Sequence, residues 1–449
     1  MISKMHRLFL LLFVVSVIIA DNSASNYVPS NDCGEPLILT PLIKKGEINT
    51  AREKSCVTPL LPNIFSHSGY LTVNETANSN LFFWFFKQSS PEWSSRPVIL
   101  WLQGGPGSSS MFGLFTENGP FRVSRGKLAK NKYSWTKHYN VLFIDNPIGT
   151  GFSFTDNYYV TTQQEIGQHL FDALTQFFTM FPELRKNKFF ISGESYAGKY
   201  LPALGYEIYK RNPKSSFPIN LKGIFIGNGY TDPENMMDYA EHLHRLGLVD
   251  RREKLLMQQY EEDARILIRN TRWGDSFKAA GKARDYIYKF TNFSNLYDYI
   301  DETFDGGDSY IEIMNDDEFR KTIHVGQIEY KDYSYQVYLH LKDEINRSMK
   351  PQIEELLEVY PIMFFSGQLD IIVGHYLSSS FINQLHWSGA DGYSEAKRNM
   401  WYVNDHLAGY YKTFSNLKEA LIRDAGHMVP AKKPMFLLDL LCKFVDGEL

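Results

Sequence analysis

Four short apolar runs constrain this chain most: Val98-Ile99-Leu100-Trp101-Leu102, Asn140-Val141-Leu142-Phe143-Ile144, Phe189-Phe190-Ile191 and Gly223-Ile224-Phe225-Ile226. A sheet with one wet face alternates apolar and polar residues. Unbroken runs suit strands covered on both faces, as in parallel sheets. Helix-period segments lie between them. In residues 164–180, Ile166, Leu170, Leu174 and Phe177 recur at helical spacing. Strands alternating with helices predict an α/β fold, a mostly parallel central sheet with helices on both faces. A hairpin over residues 68–73 and 81–86 precedes the first run. The rhythm breaks after Asn228-Gly229, where the chain turns charged and helical, with helices predicted over 251–270 and 316–324. It resumes at residues 361–365 and 419–422, and a last helix is predicted over 435–444. The organisation this implies is a signal peptide (1–20), a lead-in (21–63), a first core part (64–231), an inserted helical cap (232–351) and a second core part (352–449).

The N-terminus reads as a secretory signal. Lys4 and Arg7 precede an apolar run over residues 8–19, with Ala20 or Ala24 as the cleavage point. That run is short for a bilayer span, and no later stretch is apolar enough to serve as one. The mature chain is therefore expected without a membrane span, on the secretory route to a lysosomal or extracellular destination. Sequons at Asn74, Asn292 and Asn346 agree with that route. Cysteine is scarce. Cys33 and Cys56 are close enough in sequence to pair in a disulfide, while Cys442, in an apolar run, reads as a buried thiol. A formal charge of -4 without a basic patch argues against nucleic acid as a partner.

The third run leads into Gly193-Glu194-Ser195-Tyr196-Ala197-Gly198. A serine between small residues, at a passage from strand to helix, has the form of a nucleophile elbow. Such a serine needs a base and a carboxylate to orient it, and in α/β-hydrolases these follow in the order Ser, Asp, His. Asp370 comes just after the run at 362–365, and His427 just after that at 420–422. Both would then lie at the C-terminal edge of the sheet, where such sites are built. The other histidines fit less well. His375 is too close to Asp370 in sequence, His242 and His244 point to different faces of one helix, and no strand-end loop presents His406. After the first run, Gln103-Gly104-Gly105-Pro106-Gly107 offers backbone N–H groups for an oxyanion hole.

With these blocks in view, the chain resembles the serine carboxypeptidases, a secretory-pathway family of α/β-hydrolases active at acid pH. The resemblance is carried by W-L-Q-G-G-P-G-S-S-S, D-N-P-I-G-T-G-F-S-F, G-E-S-Y-A-G-K-Y, G-Q-L-D-I-I-V and G-H-M-V-P. The lead-in L-I-L-T-P-L-I is similar to that of the vitellogenic-like subgroup. The resemblance implies Ser195 as nucleophile, His427 as general base and then acid, and Asp370 as the group that orients the imidazole. It implies an oxyanion hole from the N–H groups of Gly105 and Tyr196. It also implies that Gln103, the N–H of Gly104 and Glu194 hold the substrate's C-terminal carboxylate, with Glu117 bonded to Glu194 and Trp101 near the pocket. Gln103 departs from the family's usual Asn, Asn146 from its usual Gln, and Ser108 and Val373 stand where many members carry Cys.

The expected activity is removal of C-terminal residues from peptides and proteins with a free C-terminus, through an acyl-enzyme, with an acid optimum. No cofactor and no metal are implied, and an oligomer is left open. An acyltransferase or esterase on the same framework is the alternative. A catalytically silent binding or storage protein is a third reading, against which the intact Ser, Asp and His stand.

Overall fold

The computed structural model describes residues 33–301 and 309–449. The signal peptide expected over 1–20 lies outside the described residues.

Eleven strands form one sheet in the order β1-β2-β3-β7-β4-β8-β9-β10-β13-β12-β11. They are β1 (Cys56–Val57), β2 (Ser66–Asn74), β3 (Ser79–Phe86), β4 (Val98–Leu102), β7 (Asn140–Ile144), β8 (Phe189–Glu194), β9 (Leu221–Gly227), β10 (Ile362–Gly367), β11 (Arg398–Val403), β12 (His406–Phe414) and β13 (Leu417–Ile422). β5 (Phe121–Ser124) and β6 (Lys127–Lys130) make a separate two-stranded ribbon. The strands β7, β4, β8, β9, β10 and β13 run parallel. Antiparallel pairs close both flanks, β1–β2–β3 against β7 and β11–β12 against β13.

The unbroken apolar runs have the expected cause. Along β4, Val98, Leu100 and Leu102 join the core on one face of the sheet, while Ile99 and Trp101 join the core on the other. Each such side chain removed from water contributes roughly 1.5–3 kcal/mol, so neither face can be uncovered cheaply. The helix Gln163–Met180 covers one face through Ile166, Leu170, Leu174 and Phe177. It starts at a capping box in which Thr162 and Glu165 satisfy each other's backbone N–H groups. The helix Pro434–Asp446 packs Leu437, Leu440, Leu441 and Phe444 into the opposite core.

Between β9 and β10 no strand occurs among the described residues. Helices fill this span, the longest being Arg251–Arg269 and Trp273–Thr291, packed on each other.

Two expectations change, and one element is added. Cys33 and Cys56 do not pair, since all three cysteines are free. Cys33 is buried with Sγ donating to Asp317 Oδ1 at 3.1 Å, whereas Cys56 is exposed on the short edge strand β1. Asn346 is fully buried, with Nδ2 donating to Ser276 Oγ at 3.1 Å and Oδ1 accepting from Tyr230 OH at 3.1 Å. A glycan on Nδ2 has no room there in the folded chain. Asn292 is exposed at the end of its helix and Asn74 is half-buried at the end of β2. The hairpin β11–β12 was not foreseen. It places the exposed His406 at the start of β12, next to the loop after β13, where Arg423 N donates to Ala408 O at 2.9 Å.

Candidate active site

Ser195 follows β8 directly and adopts φ 61°, a left-handed conformation that costs a non-glycine residue on the order of 1 kcal/mol. The surroundings hold it there. Ser195 N donates to Gly227 O at 3.0 Å, and the N–H groups of Gly198 and Tyr230 donate to Ser195 O, each at 2.9 Å. A Cβ on Gly193 would meet Leu102 O at 2.3 Å and Ala197 Cβ at 2.8 Å. The small residues around the serine are thus a packing requirement, and Ala197 meets it as well as glycine would.

His427 and Asp370 are joined, with Nδ1 of His427 2.7 Å from Asp370 Oδ2. The carboxylate is fully buried and takes two further donors, Asn228 Nδ2 to Oδ2 at 2.6 Å and Val373 N to Oδ1 at 3.1 Å. Because an ionised carboxylate only accepts, Nδ1 carries the proton and Nε2 presents its lone pair. Nε2 is buried and makes no hydrogen bond among the described residues, including none to Ser195 Oγ. A chain of contacts still ties the serine to this pair. Ser195 N is bonded to Gly227 O, and the next residue, Asn228, holds Asp370. Catalytic hydrogen bonds are often long without substrate and tighten on binding.

Residues 295–299, from the helical span, brace both loops. Tyr297 O accepts from His427 N at 2.6 Å, and the Tyr297 ring meets the imidazole edge-on at 5.2 Å. Leu296 O accepts from Ile371 N at 3.0 Å, and Tyr299 N donates to Leu369 O at 3.1 Å.

The loop after β4 lies against the elbow. A Cβ on Gly104 would come within 2.6 Å of Tyr196 N, 2.7 Å of Ser195 Cβ and 2.9 Å of Glu194 O. Only a glycine permits that approach, which brings the backbone at Gly104 and Gly105 to the serine. No protein acceptor takes the N–H of Gly105 or Tyr196 among the described residues.

Beside the serine is a buried acidic cluster. Glu194, the last residue of β8, and Glu117 are both shielded from solvent. Trp101 Nε1 donates to Gln103 Oε1 at 3.0 Å, and Gln103 Nε2 donates to Glu194 Oε1 at 2.7 Å. An indole N–H can only donate, so it fixes the amide orientation and turns the NH2 group towards Glu194. The longer side chain of Gln103 therefore keeps an amide in the cluster. Burial pushes Glu117 up to about 7, and burial together with the charge of Glu117 pushes Glu194 well above the carboxylate range. Among the described residues, Glu194 Oε2 and both oxygens of Glu117 have no partner beyond this pair and the Gln103 amide. The proton that joins them is one the pair carries itself. Arg122 and Asn131 hold the backbone carbonyl of Glu117, Asn131 Nδ2 at 3.1 Å.

The structure thus gathers Ser195, Tyr196, Gly104 and Gly105 at the elbow, Asp370 with His427 beside it, and Trp101, Gln103, Glu117 and Glu194 in one cluster. Sequence reasoning missed Asn228, Tyr297 and the Arg122–Asn131 brace. Asn228 alone had a local signal, a polar residue at a strand's C-terminal end, but Asn-Gly reads first as a turn. No group of three or more potential metal ligands occurs among the described residues.

The model of the family described as "Serine carboxypeptidase" matches residues 58–447. A venom serine carboxypeptidase of Apis mellifera is 43% identical, the match covering 93% of this chain and 92% of that protein. A vitellogenic carboxypeptidase of Aedes aegypti is 39% identical over 92% of this chain and 90% of its own length. A probable serine carboxypeptidase, CPVL, of Homo sapiens is 39% identical over 94% and 91%. Among solved structures, the prohormone-processing carboxypeptidase Kex1(delta)p of Saccharomyces cerevisiae superposes with a TM-score of 0.77 at 26% identity, covering 88% of this chain and 96% of that one. The chain belongs to the serine carboxypeptidase family, with the α/β-hydrolase fold.

Proposed function

We propose that this serine carboxypeptidase releases the C-terminal residue of a peptide through an acyl-enzyme on Ser195. Ser195 Oγ attacks the last peptide carbonyl as His427 Nε2 takes its proton. The N–H groups of Gly105 and Tyr196 receive the oxyanion. The intermediate collapses as His427 returns the proton to the departing amine, and the free amino acid leaves. Water, deprotonated by His427, then attacks the acyl-enzyme and frees the shortened peptide. Asp370 holds the imidazole and stabilises its charged form. Asn228 and Val373 hold Asp370 in turn.

The observation that carries the exopeptidase reading is the buried Glu117–Glu194 pair next to the nucleophile. A carboxyl that keeps its proton donates a hydrogen bond to a substrate carboxylate, with the Gln103 amide and the N–H of Gly104 alongside. When both carboxyls ionise, the same pocket repels that carboxylate. Affinity should therefore weaken as pH rises through about 7. The test is hydrolysis of blocked dipeptides between pH 4.5 and 8. KM is expected to rise about tenfold or more over that range, and Glu194→Gln to flatten the rise. A flat wild-type KM refutes the carboxylate-pocket reading. Failure of a fluorophosphonate to label Ser195 refutes the nucleophile.

Residues 232–351 would act as the cap over this site, with 64–231 and 352–449 as the two parts of the core. No helix among the described residues is long and apolar enough to cross a membrane. The reading places the mature enzyme on the secretory route, in a lysosome or outside the cell, with glycans on Asn74 and Asn292. The acid-favoured pocket suits such a compartment.

A further inference from the structure

Lys199 lies one helical turn past Ser195, on the helix Ala197–Arg211, and has no exposed surface. A cation removed from water needs compensation from its neighbours. Its Nζ donates to the backbone carbonyl of Arg347 and stands 5.9 Å from the Tyr196 ring centre and 5.6 Å from that of Tyr230. The charges that bear on it are Glu344 and Arg347, from the helical span, and Asp232 after β9, which Lys350 faces in turn.

A chain of hydrogen bonds runs through this place. Gln163 Nε2 donates to Tyr196 OH at 3.2 Å, and Gln163 N donates to Glu344 Oε2 at 3.4 Å. Arg347 Nη1 donates to Glu344 Oε1 at 3.0 Å, and the Arg347 carbonyl receives Lys199. A second set fixes Tyr230. Its OH donates to Asn346 Oδ1 at 3.1 Å, Met349 N donates to Thr231 O at 3.0 Å, and Thr231 Oγ1 donates to Gly198 O at 3.1 Å. Both tyrosines border the nucleophile, since Tyr196 follows it in sequence and Tyr230 N donates to its carbonyl.

We propose that Lys199 is a positioning residue: with Glu344 and the Arg347 carbonyl it clasps residues 344–349 onto the elbow helix and so fixes Tyr196, whose N–H serves the oxyanion, and Tyr230, whose N–H anchors the Ser195 carbonyl. The clasp rests on the role proposed above for Ser195 and Tyr196. Burial lowers the Lys199 ammonium to about 7, against the raising effect of Glu344 and Asp232. At acid pH the charged group is bonded to the Arg347 carbonyl and is attracted at longer range by Glu344 and Asp232. Above about pH 7.5 the neutral amine loses its attraction for Glu344 and Asp232, and the clasp loosens.

The test substrate is an N-blocked phenylalanine ethyl ester. It has no C-terminal carboxylate, so the Glu117–Glu194 pair does not govern its binding. On this ester the wild type is expected to lose about tenfold in kcat/KM between pH 6 and 8.5. Lys199→Met removes one member of a buried charge cluster and should melt lower than wild type at pH 6, so its kinetics are read well below its Tm. It should start about tenfold lower in kcat/KM at that pH and show no alkaline limb. Glu344→Gln keeps an amide in that chain of bonds and removes a charge that raises Lys199, so it should move the limb to lower pH by about half a unit. It also provides the reading if Lys199→Met fails to fold. Lys199→Met within twofold of wild type with the limb intact, or an unmoved limb in Glu344→Gln, overturns the clasp. Ester hydrolysis surviving in Ser195→Ala would instead overturn the assignment of the nucleophile.

Discussion

Asp370 accepts from three donors, so its carboxylate cannot rotate without breaking a bond in the site. Asn228 carries one of them, and it sits at φ 40° with its Oδ1 also accepting from Gly367 N at 3.3 Å. A hydrogen bond to a charged group contributes about 1.5–3 kcal/mol. Asn228→Ala should therefore lower kcat about 10- to 100-fold with little change in KM, which steady-state kinetics on a blocked dipeptide at pH 5 would show. Equal losses in a variant of an exposed asparagine would argue against a specific role. The strand-end positions of Ser195, Asp370 and His427 were legible because each follows an apolar run. Asn228 was hidden because its role depends on a contact with a residue 142 positions away. Asn346 and Cys33 misled for the converse reason. A three-residue sequon and a short cysteine spacing record nothing about burial, and the fold encloses both side chains.

The loop after β4 and the elbow after β8 function as one element, because β4 and β8 are neighbouring parallel strands that end together, Leu102 opposite Gly193. Gly104 lets the two loops touch. A methyl group there would press on Tyr196 N, Ser195 Cβ and Glu194 O, two of them backbone atoms that cannot turn aside. Gly104→Ala should push the Gly105 N–H away from the oxyanion and cost about 100-fold or more in kcat, while thermal unfolding shows the sheet intact. Activity within threefold of wild type would remove this loop from the oxyanion hole. The strands that carry the site were readable because they are buried on both faces. β11 was not. It is the edge of the sheet, it begins with Arg398 and Asn399, and four of its six residues are exposed. An edge strand takes its conformation from pairing with β12, and that information is absent from its own sequence pattern.

Across the whole molecule, buried ionisable groups set where on the pH scale the fold is most stable. Burial raises Glu117 and Asp145 to about 7 and Glu261 to about 8, and raises Glu194 further than an ordinary carboxylate. Unfolding returns all four to the usual range near pH 4 to 4.5. Between there and about pH 8 the folded chain holds protons that the unfolded chain has released, so these groups lower stability as pH rises through that window. The buried and half-buried histidines act in the opposite sense. Burial lowers His67 to about 3, and His169, His242, His324 and His375 are lowered chiefly by the same cause. Below about pH 6.5 the unfolded chain binds protons that these rings refuse in the fold, and stability falls as pH drops towards 3. The two slopes leave a maximum between about pH 5 and 6. That is also the range in which the Glu117–Glu194 pair keeps its proton and can receive a carboxylate. Calorimetry should find the highest Tm there, with decreases on both sides. Glu194→Gln should make the alkaline decrease shallower, because the amide has no proton to lose. A Tm that climbed steadily to pH 8 would mean that the buried carboxyls are not protonated in the folded chain, and the pocket could not then receive a substrate carboxylate by sharing a proton with it.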